Sequence, residues 1–338
     1  MSGSDDKTAD DGVASGQGVT VVEVEAPARL HFGMLDLAGS RGRRFGGIGA
    51  AVRPPSLRLT AEPARDDVVV SGDPRLGTSA EVDEALRAVE AAVKLVLAHE
   101  GIDRGLHVTV DRLLPAHHGL GSGTQLALAA ATATARVFGL ADDPLQLSQV
   151  VGRAQRSAVG TYAFAHGGFI VEGGRRPETE APAPLVARLP IPEAWRCVLA
   201  IPPGVPGVSG AAESAAFARI PAPPPGDAEH IAHLVLMLLL PALADADFAT
   251  FGAALTEIQA INGRWFAPAQ GGPYAPGPSA TIVQALASWG ATGVGQSSWG
   301  PAVYALAPDP DTSIALVHRL RAAFPEAVVY DARFWNGG

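Results

Sequence analysis

The stretch 119-GLGSGTQLALAAA-131 sets a glycine loop directly before a run of small and apolar residues of high helix propensity. Gly119, Gly121 and Gly123 let successive amides turn toward one anion. Ser122 and Thr124 add hydroxyl oxygens, and a helix beginning near Gln125 adds its positive end. Upstream, 105-GLHVTVDRLLP-115 reads as a strand. The order strand, glycine loop, buried helix is what a phosphate or pyrophosphate site needs. The competing reading is close packing of the helix on a neighbouring strand. The loop has neither the lysine of a Walker motif nor the GxGxxG order of a dinucleotide fold, so neither cofactor assignment follows.

Outward from this loop the chain alternates in type. On the N-terminal side, 20-TVVEVEAP-27 starts a strand, and 28-ARLHFGMLDLAG-39 leads into a turn region running through 41-RGRRFGGIGAAV-52. Strands are expected at 55–63 and 67–73, and a helix over 79–101 with acidic residues early and a glycine at its end. Beyond the loop come a helix over 142–160, opened by Asp142 or Asp143 and Pro144, then a turn and strand over 161–174. The polar, proline-rich run 175–184 crosses to a second half. That half reads as a strand at 195–203, a connector at 203–226 placed to cover the site, helices at 228–243, 247–263 and 279–290, and strands at 301–308 and 314–321. The expected architecture is mixed α+β in two layers per half: a disordered tail over 1–18, then domains over 19–184 and 185–338.

Composition narrows the function. Lys+Arg 25 against Asp+Glu 34 gives a net charge of -9, which offers no general attraction for nucleic acid or an acidic membrane. A single cysteine, Cys197, lies in the strand-like run 195-WRCVLAI-201 and reads as a buried small hydrophobe, consistent with a reducing, cytoplasmic setting. The tail lacks the basic and apolar regions of a signal peptide. The most apolar stretch, 234-LVLMLLLPALA-244, falls short of the roughly 20 residues a bilayer requires and reads as core helix or dimer interface.

Other chemistry-bearing residues gather near these segments. His117 and His118 precede the loop and His31 lies early; phosphate contact or acid–base duty competes with bonding to loop carbonyls. Arg29, Arg153 and Arg156 supply cationic forks for phosphate or carboxylate, with surface ion pairing as the alternative. Asp36 is placed either to hold magnesium or a sugar hydroxyl, or to cap the turn near Gly39. In 293-GVGQSSWGP-301, small residues bracket Gln296, Ser297, Ser298, Trp299 and Gly300, a loop that can close over a ring or phosphate.

The ordered set 27-PARLHFGMLD-36, 115-PAHHGLGSGTQLALAAA-131, 152-GRAQRSAVGTYAFAHGGFIVEGG-174 and 293-GVGQSSWGP-301 resembles the β-ribofuranosylaminobenzene 5'-phosphate synthases of the GHMP superfamily. The resemblance spans almost all of the chain after the tail. It implies a two-domain GHMP fold, each half a mixed or antiparallel sheet packed with helices. It also implies a reaction in which 5-phosphoribosyl-1-pyrophosphate and 4-aminobenzoate release pyrophosphate and carbon dioxide, yielding a precursor of tetrahydromethanopterin. Carried over, Gly119 through Gln125 match the phosphate loop; Arg29, His31 and Asp36 the early signature; Ser157, Thr161 and His166 the middle one; Gln296 through Gly300 the late loop.

On this reading Arg29 or Arg156 holds substrate anions, His117 or His118 serves the phosphate region, and Trp299 or Trp265 stacks on the aryl ring. Asp36 and Ser122 are the candidate Mg2+ ligands, and a homodimer is expected. Two other functions share the loop, an ATP-dependent small-molecule kinase of the same superfamily and a noncatalytic phosphometabolite-binding protein. Against the kinase, Gly160 stands where the SGxD-like segment of the superfamily kinases has an aspartate, and glycine accepts no proton.

Overall fold

A computed structural model describes residues 21–39, 41–204, 207 and 210–337; the expected tail over 1–18 lies outside them. The first half is built on a long hairpin, β1 (Val22–Asp36) against β2 (Phe45–Ala64). Alternate residues of β1 face the core, with Ala26, Ala28, Leu30 and Phe32 fully buried. The expected turn region over 28–52 is therefore corrected. Its small residues, Gly47 and Gly49 among them, are strand positions under close packing, since a Cβ at Gly49 would lie 2.2 Å from the Leu30 carbonyl.

Strand β3 (Val68–Gly72) runs parallel to β4 (Gly105–Arg112), and β4 pairs antiparallel with β2. The helix between them, α1 (Ala80–Glu100), begins where Ser79 Oγ accepts from Val82 N at 3.2 Å and ends at left-handed Gly101. Helix α2 (Ser122–Val137) follows the glycine loop. Its residues Gln125 through Ala135 are all buried, so small side chains are what let it lie between the sheet and α1.

The expected helix over 142–160 is shorter: α3 (Pro144–Val150), capped by Asp143, ends well before α4 (Val159–His166). Helix α4 replaces the turn expected at 161–166, and β5 (Phe169–Glu172) then pairs with β2 and with β6 (Leu185–Leu189). The hydrogen bonding of β6 thus continues the first sheet just past residue 184.

The second half adds an antiparallel block of strands, β7 (Arg196–Ile201), β8 (Thr292–Gln296), β9 (Val303–Ala307) and β10 (Val328–Phe334), which continues the first half in one ten-stranded sheet. Of the helices α5 (Gly210–Ala218), α6 (Pro225–Leu234), α7 (Leu240–Ala244), α8 (Phe248–Gln270), α9 (Ser279–Ser288) and α10 (Pro310–Ala323), the last three pack on these strands, α6 and α8 contact β1, and α5 and α7 pack on α8. The strand expected at 314–321 is α10 instead. Asp309 caps it by accepting from Thr312 N at 2.7 Å, and Pro310 occupies its first turn.

The strands of the two halves join where Arg333 and Phe334 pair with Arg53 and Val52. An aromatic node supports the join: Phe32 of β1 lies 5.0 Å from Tyr304 of β9 and 6.2 Å from Phe169 of β5, which lies 5.5 Å from Phe251 of α8. All four rings are among the largest fully buried side chains, and burial of each contributes on the order of 2–3 kcal/mol. The result is a two-domain α+β fold with a cleft between the halves.

The apolar stretch 234–244 is the second half of one helical run, Pro225–Ala244, whose 20 residues are long and apolar enough to cross a membrane by length and composition only, a test that the core helix of a soluble protein also passes. Pro241 has no amide hydrogen, and just before it the helix widens to π register, with Leu240 N donating to Val235 O. Ile231, Leu234, Val235, Leu239, Ala242 and Leu243 are buried along this run, whereas Leu236 and Met237 are exposed.

Candidate active site

The glycine loop is held by contacts that leave its amides free. Gly121 caps α2 in a left-handed conformation (φ 72) and presents no side chain to the first helical N–H groups. Gly119 is also left-handed, and a Cβ there would fall 2.1 Å from the Ser297 carbonyl, so only glycine permits this approach. Ser297 is the convergence point of three sequence clusters. Its Oγ donates to Gly119 O at 2.6 Å and accepts from His31 N at 3.0 Å. Arg29 N donates to Leu120 O at 2.9 Å, and Gln125 Nε2 donates to Gly160 O at 2.9 Å, tying β1 and α4 to the same loop.

Two cavities meet here. One, of about 390 Å³, runs along Gly119, Gly121, Ser122, Gly123 and Thr124 and is also lined by Glu81, Glu84, His117, Trp299 and Gly300. The other, of about 550 Å³, is lined by His31, Ser157 and the arginines Arg29, Arg153, Arg156 and Arg175. Arg29, Thr124, Arg153, Glu213 and Ser298 border both. The Nε atoms of Arg29, Arg153 and Arg175 are buried and unpartnered, a costly state that an anion would relieve. Burial lowers the Arg29 guanidinium to about 10, opposed by the charge of Glu213, and burial also lowers Arg153. Both remain cations near neutral pH.

Arg156 is engaged differently. Its Nη1 pairs with Glu213 Oε2 at 2.9 Å, its Nη2 donates to Ser214 Oγ at 2.9 Å, and it stacks 4.5 Å from the Phe217 ring. These contacts fasten α5 across the cleft, so the connector expected to cover the site does so with a helix.

The remaining expected residues divide by position. Trp299 is packed edge-on against Phe217 at 5.1 Å and lies 4.7 Å from Phe266, with one surface on the glycine-loop cavity. Trp265, its rival, lines neither cavity and donates from Nε1 to Asp227 Oδ2 at 2.8 Å. Asp36 likewise lines neither; its Oδ1 accepts from Gly39 N at 2.8 Å, the capping alternative. His166 closes α4 beside Arg188 and Asn336, in a separate surface cavity. His117 reaches toward Glu84 (3.6 Å), while His118 Nδ1 faces the Ala116 carbonyl. Thr161 is buried in α4, and Gln296 is bound to Ala275 N and Ser298 O behind the cleft. Cys197 is fully buried and burial pushes its thiol up, as a packing role requires.

Sequence reading did not single out Glu213, Arg175 or Glu172. Arg175 heads the polar crossing at 175 and Glu213 sits in the connector, where a lone charge carries no pattern. Glu172 alone had a signal, a carboxylate closing the buried strand Phe169–Glu172.

Comparison with known proteins agrees with this architecture. Residues 87–168 match the model of the GHMP kinases N-terminal domain, and residues 239–326 that of the GHMP kinases C-terminal domain. The chain is 34% identical over 303 residues to the β-ribofuranosylphenol 5'-phosphate synthase of Methanothermobacter thermautotrophicus, covering 86% of this chain and 90% of that one. The Archaeoglobus fulgidus protein of the same name is 33% identical, covering 85% and 88%. Among solved structures, L. major mevalonate kinase in complex with R-mevalonate superposes with a TM-score of 0.72 at 17% identity, covering 95% of this chain and 98% of that one. Lactococcus lactis galactokinase superposes with a TM-score of 0.65 at 14% identity, covering 94% of each. At such identities these kinases share the fold alone.

Proposed function

This chain belongs to the GHMP-superfamily family of β-ribofuranosylphenol 5'-phosphate synthases, and from that premise we propose how its cleft performs a decarboxylating phosphoribosyl transfer. The carbon of a para-substituted benzoate that bears the carboxylate attacks the anomeric carbon of 5-phosphoribosyl-1-pyrophosphate. The anomeric carbon–oxygen bond breaks and pyrophosphate leaves with its electron pair. The ring–carboxylate bond then breaks, carbon dioxide departs, and its bonding pair restores aromaticity. No ring proton has to be removed. The acceptor carries an electron-donating para group, an amine in the reading from sequence and a hydroxyl in the relatives' names. The product is a precursor of tetrahydromethanopterin.

The observation that carries this reading is the pair of joined cavities with an anion-accepting pole in each. The first amides of α2, at Ser122 and Gly123, with the hydroxyls of Ser122 and Thr124, suit pyrophosphate, and Arg153 with Arg175 suits the 5'-phosphate. Arg29 stands between them, where positive charge on the sugar and negative charge on the leaving group separate. Trp299, buried between Phe217 and Phe266, borders the glycine-loop cavity, where the aryl ring would meet it. Gly160 argues against hydroxyl phosphorylation: a Cβ there would sit 3.2 Å from Thr124 Cγ2, which leaves little room for a longer acidic side chain.

Magnesium is proposed as the counter-ion of the pyrophosphate. Among the described residues no three His, Cys, Asp or Glu side chains form a cage, yet Ser122, Thr124 and Glu84 bring oxygens to the glycine-loop cavity. That donor set fits an ion held mainly by substrate phosphates and water, with Ser122 and Glu84 as protein ligands. When bound, it would supply charge neutralisation to the leaving group. We place the enzyme in the cytoplasm as a homodimer without nucleic-acid or membrane partners.

Calorimetric titration tests the two poles. Phosphoribosyl pyrophosphate should bind more tightly than pyrophosphate or ribose 5-phosphate alone. Arg175→Met should weaken ribose 5-phosphate at least tenfold and leave pyrophosphate within about twofold. Equal loss for both ligands would contradict the assignment.

A further inference from the structure

Beneath the arginine-lined cavity lies a buried polar cluster that the reaction as written does not use. His31 Nε2 lies 3.4 Å from Ser157 Oγ, and Ser157 also faces the carboxyl of Glu172. Both ring and carboxyl press on Gly47, where a Cβ would meet His31 Nε2 at 3.0 Å and Glu172 Oε1 at 3.2 Å. Glu172 is 0% exposed. Its Oε2 accepts from Gly174 N at 2.8 Å, while Oε1 is buried without a hydrogen-bond partner of ordinary geometry. The groups facing it are His31 from β1, Ser157 and Ala158 before α4, Tyr162 on α4 and Gly174 beyond its own strand; Arg29 acts on His31.

Hydrogen-bond direction gives this cluster two states. Ser157 has one hydrogen to donate and accepts from Val159 N at 3.3 Å. When Glu172 is an acid, it donates to Ser157, Ser157 donates to His31 Nε2, and the ring carries its proton on Nδ1. When Glu172 is ionised, it accepts from Ser157, Ser157 accepts from His31 Nε2–H, and Nδ1 becomes an acceptor. Both states satisfy Ser157 fully. Burial and the charge of Arg29 hold the imidazole well below the usual histidine range, so it stays neutral in either.

We propose that Glu172 is a positioning residue whose proton, passed through Ser157, sets the tautomer of His31 on the cleft wall, the acid form being the one that receives the anionic substrates. This rests on the function proposed above. The acid form adds no negative charge beneath a cavity built for anions. Burial pushes the Glu172 carboxyl up to about 7, which puts the exchange within the working range.

Glu172→Gln supplies the test, because Gly174 N fixes the amide oxygen at the Oε2 position and leaves the NH2 facing Ser157, a permanent copy of the acid. In wild type, kcat/KM for phosphoribosyl pyrophosphate should fall about tenfold per pH unit above the midpoint; in the variant that limb should vanish between pH 6 and 8.5 with kcat within about threefold at pH 6. Nitrogen-15 shifts of the His31 ring, assigned with His31→Asn, should show Nδ1–H turning to Nε2–H near pH 7 in wild type and no change in the variant. A ring with one tautomer throughout, or a variant whose pH limb overlays that of wild type, overturns the proposal. Absence of wild-type turnover would instead strike the proposed reaction, and the ring spectra would still decide the tautomer.

Discussion

Ser297 shows how much of this site hangs on single side chains. One hydroxyl joins His31 N to Gly119 O, so Ser297→Ala leaves the buried His31 N unpaired and Gly119 O with only the 3.5 Å contact of Arg29 Nη1. Destabilisation of about 2–4 kcal/mol is expected in denaturant unfolding, together with a loss of kcat well beyond tenfold. Glu172 makes a prediction of opposite sign. Its acid form is favoured by the fold, with the carboxyl raised from 4.5 to about 7 chiefly by burial. Its contribution is therefore fully present below about pH 4.5 and is lost as pH rises through 7, a cost of on the order of 3 kcal/mol above that pH. Glu172→Gln should accordingly unfold at higher denaturant than wild type at pH 8 and close to it at pH 5. At this scale the glycine loop was legible because its chemistry is local: Gly119, Gly121 and Ser122 are contiguous and their effect needs no partner. Arg175 and Glu213 were not, because each acquires meaning only from cavities that residues far away in sequence complete.

Among the elements, α5 is the one whose role is conditional. Its Ala216 and Phe217 are buried, Phe217 against Phe45, Phe266 and Trp299, while Arg156 tethers its cleft side through Glu213 and Ser214. Glu213 borders both cavities and stands where ligand anions would come. Arg156→Met should therefore release α5: amide exchange over 210–218 should accelerate at least tenfold in the free protein, and KM for phosphoribosyl pyrophosphate should change more than kcat. Unchanged exchange would show that the helix is held by other contacts. The errors in reading elements have a common physical origin. The arm at 45–52 is rich in glycine and alanine for close packing against α2 and α4, and small residues in sequence look like turns. In α10 the apolar run at 314–317 outweighed a clear start signal, Asp309–Pro310. Helix α1 was legible because its Ser79 cap, amphipathic spacing and terminal Gly101 all agree.

For the whole molecule, the fold class followed from the order of elements, whereas the seam between the halves at Arg53 and Arg333 is a long-range pairing that no local pattern announces. The proposed homodimer also belongs to this scale. Leu236 and Met237, exposed at 64% and 57% on the run Pro225–Ala244, are the apolar side chains a second copy would cover. Leu236→Glu with Met237→Glu should sediment as monomer with the fold retained; an unchanged dimer would place the contact elsewhere. One cleft couples departure of pyrophosphate to loss of carbon dioxide. Incubation of the purified chain with Mg2+, phosphoribosyl pyrophosphate and carboxyl-labelled 4-aminobenzoate or 4-hydroxybenzoate measures it directly. Labelled carbon dioxide, pyrophosphate and aryl riboside phosphate should appear in equal amounts from at least one acceptor. Pyrophosphate without carbon dioxide, or none of the three from folded protein with either acceptor, would contradict the account.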